Sequence, residues 1–149
     1  MASGYAAQGR VYYLYGNLML ALNNLDRAIE LSQHVAPPYR DRGLVLEALG
    51  DYDGAILNFS RAIQLDPELS DAYFRRAKLQ FASGDFASAI DDLTTAISLD
   101  PESAYLHLSR AKIHIIVKDM AGALSDLELV LSLTQDESLV IVGARPAMG

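Results

Sequence analysis

Three histidines and one adjacent pair of carboxylates are the side chains here best suited to acid–base or metal chemistry. His34 stands near a predicted junction between structural units, and His107 and His114 share one predicted helix at positions that pack inward. Rings so placed read as packed or internally hydrogen-bonded groups rather than as catalysts or metal ligands. Asp91 and Asp92 resemble a two-carboxylate site, but neighbours on a helix point in different directions and do not converge, so a solvated helix face is expected. Asn58-Phe59-Ser60 fits the glycosylation triplet, yet it falls mid-helix with Phe59 at a core position. There is no glycine-rich phosphate loop, no nucleophile elbow and no cysteine. The expectation is a protein that is not an enzyme and carries no cofactor or metal.

The elements that hold these residues repeat every 34 residues without a slip in register. Segments beginning at Ala2, Ala36, Ser70 and Ala104 place Tyr5, Tyr39, Tyr73 and His107 in the fourth column. Small residues fill the eighth (Gly9, Gly43, Ala77, Ala111), the twentieth (Ala21, Ala55, Ala89, Ala123) and the twenty-seventh (Ala28, Ala62, Ala96, Val130). A period of this length marks a stack of like supersecondary units. Within each unit apolar residues recur at helical spacing, broken once at Gly16-Asn17, Gly50-Asp51, Gly84-Asp85 and Lys118-Asp119. Glycine accepts the left-handed backbone that ends a helix, and Asn or Asp caps the next one. Each unit is therefore two short helices, and Pro67 and Pro101 stop the second helix in the middle two.

Aromatic–x–x–x–Gly/Ala, then Gly-Asp-Tyr/Phe, then Ala-Ile…Ala-Ile-x-Leu-Asp-Pro resembles the tetratricopeptide repeat, most closely over Gly50–Ile56 and Ala62–Pro67. The resemblance implies an all-α, right-handed superhelical solenoid of antiparallel helix pairs. Its repeats fall at 2–35, 36–69, 70–103 and 104–137, with a non-repeat tail at 138–149. The first departs from the pattern at Gln33, and the fourth at Lys118, Val130 and Gln135.

With 51% hydrophobic residues the chain lies outside the range of disorder, and its net charge of −7 argues against nucleic acid as the main partner. The apolar run from Val11 to Leu22 reads as first-repeat core rather than a signal peptide, and no other run approaches a membrane span. A soluble, intracellular, cytoplasmic protein is the expectation.

In the family, the first helices of successive units line a concave groove that holds an extended peptide or a helix of another protein. The matching columns here supply Arg10, Tyr13, Arg40, Leu44, Phe74, Lys78, Phe81, Leu108, Lys112 and Ile115, with Arg75 reaching the same surface. Cations interleaved with exposed apolar groups suit an acidic, partly hydrophobic peptide or helix. Arg42, Arg76 and Arg110 share a different column, and their recurrence points to scaffold pairing with helix carboxylates. The family's clamp for chaperone-tail carboxylates would use the positions held here by Ala6, Arg10, Asp41, Asp71 and Arg75. Only Arg75 fits, so that mode of binding is not expected.

Beyond Leu133 no capping helix is expected, and Leu139-Val140-Ile141-Val142 is free to cover the apolar end of the stack or to meet another molecule. The leading expectation is a non-catalytic adaptor. A self-assembling scaffold joined through its open ends and apolar tail is the alternative, and a regulatory domain of a longer enzyme a third.

Overall fold

The structure is a computed structural model and describes residues 1–141, of which 136–141 are described in backbone only. Among the described residues the chain is helix and turn. The helices are α1 (Ala2–Leu14), α2 (Leu18–Leu31), α3 (Ala36–Ala48), α4 (Tyr52–Leu65), α5 (Ser70–Ala82), α6 (Phe86–Leu99), α7 (Ala104–Ile116) and α8 (Met120–Ile141).

The breaks follow the expected chemistry. Gly16, Gly50 and Gly84 adopt φ of 81°, 85° and 85°, and Lys118 holds the same left-handed position at 65°. Next to them Asn17, Asp51, Asp85 and Asp119 accept the backbone N–H of Leu20, Gly54, Ser88 and Gly122. Lys118 carries a Cβ in a conformation that disfavours one. Lys118→Gly should therefore raise stability by about 1 kcal/mol, measured as a shift in denaturation midpoint.

Two compact units make up the chain, Met1–Leu79 and the residues from Gln80 on. In the first, α1 packs on α2, α2 on α3 and α3 on α4. Phe59, Leu25 and Val45 are fully buried there. The small eighth column is a close approach: a Cβ on Gly9 would lie 2.7 Å from Leu25 Cγ, and one on Gly43 2.8 Å from Phe59 Cε1. In the second unit α6 packs on α7 and α7 on α8, around buried Ala89, Leu93, Ala96, Ala111, Ile113 and Ala123.

Helices α4 and α6 stop at Leu65 and Leu99, ahead of Pro67 and Pro101. α8 does not stop after Leu133 but runs on to Ile141, the fourth repeat's own second helix carried further rather than a separate capping helix. Thr134 and Gln135 stand where Asp-Pro ends the middle helices, and neither blocks helical propagation. The tail expected from 138 thus begins within a helix, and its residues 142–149 lie outside the described residues.

Candidate functional site

The inward polar column of the second helices is the first feature to account for. Arg42 Nε donates to Asn58 Oδ1 at 2.7 Å and its Nη1 to Asp26 Oδ1 at 3.0 Å. Arg76 Nη1 donates to Ser60 Oγ at 3.0 Å. Arg110 donates twice to Asp126, from Nε at 2.9 Å and Nη2 at 2.7 Å, and once to Thr94 Oγ1 at 3.1 Å. One guanidinium therefore ties its own helix pair to the preceding one, the scaffold role expected of this column. Asn58 and Phe59 are buried in the same arrangement, which closes the glycosylation triplet to modification.

His107 and Asp126 are both buried. The His107 ring places Nδ1 3.2 Å from Asp126 Oδ1 and Nε2 3.0 Å from the Pro101 carbonyl oxygen. Both facing atoms are acceptors, so both contacts are hydrogen bonds only with the imidazolium. Tyr39 and Tyr73 use their hydroxyls in the same way, donating to the carbonyls of Gln33 and Pro67. Burial alone pushes the Asp126 carboxyl up; hydrogen bonds from Arg110 and His107, with their charge, reverse this and hold it below its ordinary value. The Asp126 bond in turn raises Arg110 against the opposing effect of burial. His114 Nδ1 lies 3.0 Å from Asp119 Oδ2, and His34 is exposed in the turn between α2 and α3. Among the described residues no group of three or more His, Asp or Glu side chains could hold a metal ion.

Asp92 departs from its expected solvated position. It is buried, and the Gln80 amide, turned so that its nitrogen faces these two acceptors, donates to its Oδ2 at 3.0 Å and to the Ser88 carbonyl at 3.2 Å. Asp91 alone faces solvent. Asp92 shares a repeat column with Asn58 and Asp126, and that column points inward.

Four residues of the expected groove meet in the first unit. Arg10, Tyr13 and Leu14 of α1, Arg40, Asp41 and Leu44 of α3 and Asp71 of α5 line a hollow of about 250 Å³. Its chemistry differs from the expected basic patch. Buried Asp41 accepts from Arg10 Nε and Nη2 on one oxygen (3.1 and 2.9 Å), and from Arg40 Nε and Nη2 on the other (3.2 and 3.0 Å). Arg40 Nη1 also lies 3.5 Å from Asp71 Oδ2. Two guanidinium groups are thus satisfied by two carboxylates, and neither presents unopposed charge. Tyr13 and Leu44 are half-buried and pack partly on the core clusters around Leu25 and Phe59. On α5, Arg75 and Phe74 are half-buried, and the exposed Lys78 holds its Nζ 5.9 Å over the Phe74 ring.

In the second unit Phe81 is exposed, its ring 5.6 Å from that of Phe86. Leu108, Lys112 and Ile115 recur at helical spacing on one face of α7, the last two exposed. No helix among the described residues is long and apolar enough to cross a membrane.

A family model for the tetratricopeptide repeat matches residues 46–113. That stretch is tetratricopeptide-repeat sequence, and the chain has the all-α fold of a tetratricopeptide-like solenoid. Its fold matches a solved structure of MamA with a TM-score of 0.87 at 20% identity, over 92% of this chain and 80% of that one. A MamA from Desulfovibrio magneticus RS-1, residues 41 to the end, gives 0.81 at 18% identity over 91% and 77%. The first tetratricopeptide domain of Spaghetti (RPAP3), bound to an HSP90 peptide, gives 0.75 at 19% identity over 78% and 93%. No curated protein matches the sequence significantly. Identities at this level establish an all-α tetratricopeptide solenoid and leave its ligand to the residues.

Two features of these repeats went unread in the sequence. The inward polar column was visible as Asn24, Asn58, Asp92 and Asp126 at the repeat period. The pairing of Arg10 with Asp41 carries no local signal, because it joins the ninth position of one repeat to the sixth of the next.

Proposed function

We propose that the chain is a non-catalytic adaptor whose first helices take up a peptide or helix of another protein. The observation that carries this reading is the set of apolar side chains kept on first helices outside the packed clusters, with Phe81 and Ile115 exposed beside exposed cations. Apolar groups in such company mark contact surfaces. With Arg10 and Arg40 held by Asp41 and Asp71, the cations for an acidic partner are Arg75 and Lys78 in the first unit and Lys112 in the second. The apolar part of the partner meets Tyr13, Leu44 and Phe74 in the first, and Phe81, Leu108 and Ile115 in the second.

The peptide-bound RPAP3 domain supports a peptide ligand on this fold, but the usual carboxylate clamp is opposed here. Asp41 stands where that clamp needs a neutral amide, and Asp71 adds a second carboxylate to the same hollow. An incoming terminal carboxylate would have to displace Asp41 from both arginines. Reversing charge with Arg75→Glu and Lys78→Glu together should weaken partner binding at least about tenfold while leaving helicity unchanged. Added salt should weaken the wild-type complex as well. Unchanged affinity in a titration against the partner would exclude this surface.

A further inference from the structure

The third and fourth repeats make the same inward contacts with different chemistry. At position four, Tyr73 donates its hydroxyl to the Pro67 carbonyl at 3.0 Å, as Tyr39 does to Gln33 at 3.1 Å. In the fourth repeat His107 holds that position and places Nε2 3.0 Å from the Pro101 carbonyl oxygen. At position eleven, the amide of Gln80 serves the buried carboxylate of Asp92. His114 holds position eleven in the fourth repeat, with Nε2 3.9 Å from Oδ2 of Asp126, the residue in the column of Asp92. Two donors that do not titrate near neutral pH in the third repeat are thus two histidines in the fourth.

Each of these rings lies between two acceptors. His107, 3% exposed, also turns Nδ1 toward Asp126 Oδ1 at 3.2 Å. A neutral imidazole has a single N–H. Whichever nitrogen kept it, the other would set a lone pair against a carbonyl or a carboxylate oxygen. A proton on Asp126 does not relieve this. Burial pushes that carboxyl up, but Arg110 and His107 hold it below its ordinary value, so it is ionised where histidines titrate. Arg110 opposes a second cation beside it, yet it donates to both Asp126 oxygens and so keeps the acceptor charged.

His114 Nδ1 lies 3.0 Å from Asp119 Oδ2, out of line for a hydrogen bond. This ring therefore meets Asp119 and Asp126 as a charge between two carboxylates. The other oxygen of Asp119 caps α8 through the Gly122 N–H. From α6, the neutral Thr94 hydroxyl accepts from Arg110.

We propose that the fourth repeat is a proton-sensitive element. With His107 and His114 charged, α7 is joined to α8 through Asp126 and the Asp119 cap. Loss of these protons near neutral pH loosens the helix pair, while the tyrosine-based repeats keep their packing. Proton linkage gives the direction. The folded repeat needs protons that the unfolded chain gives up at an ordinary histidine value of about 6.5, so the contribution is fully present below that value and falls as pH rises above it. Protonation of Asp126 acts at the opposite, acid end. α7 also bears Leu108, Lys112 and Ile115, so on the adaptor function proposed above the same protons control the second unit's share of the contact. The device itself does not depend on that function and is tested without a partner.

Nitrogen NMR spectra of the histidine rings in the whole chain, taken at about pH 6, should show His107 protonated on both nitrogens. Hydrogen exchange, corrected for its intrinsic pH dependence, should show the opening equilibrium of α7 and α8 rising at least about tenfold between about pH 6 and about pH 8, with α3 and α4 unchanged. His107→Tyr with His114→Gln, which installs the side chains of the third repeat, should remove that rise. A neutral His107 ring in the folded chain at the lower pH overturns the proposal without recourse to a variant. So does an opening equilibrium of α7 and α8 that stays level across the range, or a rise of the same size in the folded double variant.

Discussion

Asp126→Ala should lower stability by about 3–5 kcal/mol, the loss expected when a buried charge pair is broken on one side. Asp126 is 1% exposed and accepts two hydrogen bonds from Arg110 and one from His107. Removing it leaves a guanidinium and a ring without their acceptor, beside a space the size of a carboxylate. Repeat arrays hold together through neighbouring contacts, so the loss should be local. Hydrogen exchange should show α7 and α8 opening at lower denaturant while α1 to α4 keep their protection.

The pH response follows from the same group. Its carboxyl is held below the ordinary value, so its contribution is fully present above an unfolded pKa of about 3.9 and is lost as pH falls through the lower folded value. Wild type should lose stability through that acid window, and Asp126→Asn should lose less over the same range. Denaturant titrations at several pH values read both. An acid response identical in the two would show that Asp126 is not the group responsible.

Phe59→Ala should cost about 3–5 kcal/mol, through the lost transfer of the ring and the cavity it leaves. The side chain is fully buried among Ala55, Ala72 and Leu79, and its ring lies over Gly43. Gly43→Ala brings two effects of opposite sign. Alanine favours a helix interior by about 1 kcal/mol, but its Cβ would meet ring atoms at 2.8 to 3.0 Å, and overpacking of this kind costs about 1–3 kcal/mol. Gly43→Ala should therefore destabilise alone and be partly rescued by Phe59→Leu, a coupling that a double-mutant cycle measures directly. Additive effects would mean that the ring can move away from position 43.

The helix pairs, their turns and their small-residue contacts were legible because each follows from local rules applied at a fixed period. Gly50-Asp51 ends one helix and starts the next whatever surrounds it, and Pro67 stops a helix on its own account. What was not legible depends on which positions of neighbouring helices oppose each other. Arg10 and Arg40 read as groove cations, and only the packing of α1 beside α3 reveals that Asp41 takes both. Asp92 looked solvated because Asp91 beside it is; its burial is a property of the column, not of the dipeptide. The extension of α8 was missed for a third reason: Thr134-Gln135 neither breaks a helix nor announces one.

The central claim is that the first helices form the working surface for another protein. Its most direct test is a comparative capture from lysate with the wild type and the Arg75→Glu/Lys78→Glu variant, matched for helicity. The expected result is a protein retained by the wild type, released by salt and lost from the variant. Equal retention by both, with the same salt response, would contradict the claim and remove the first-helix cations from the binding surface.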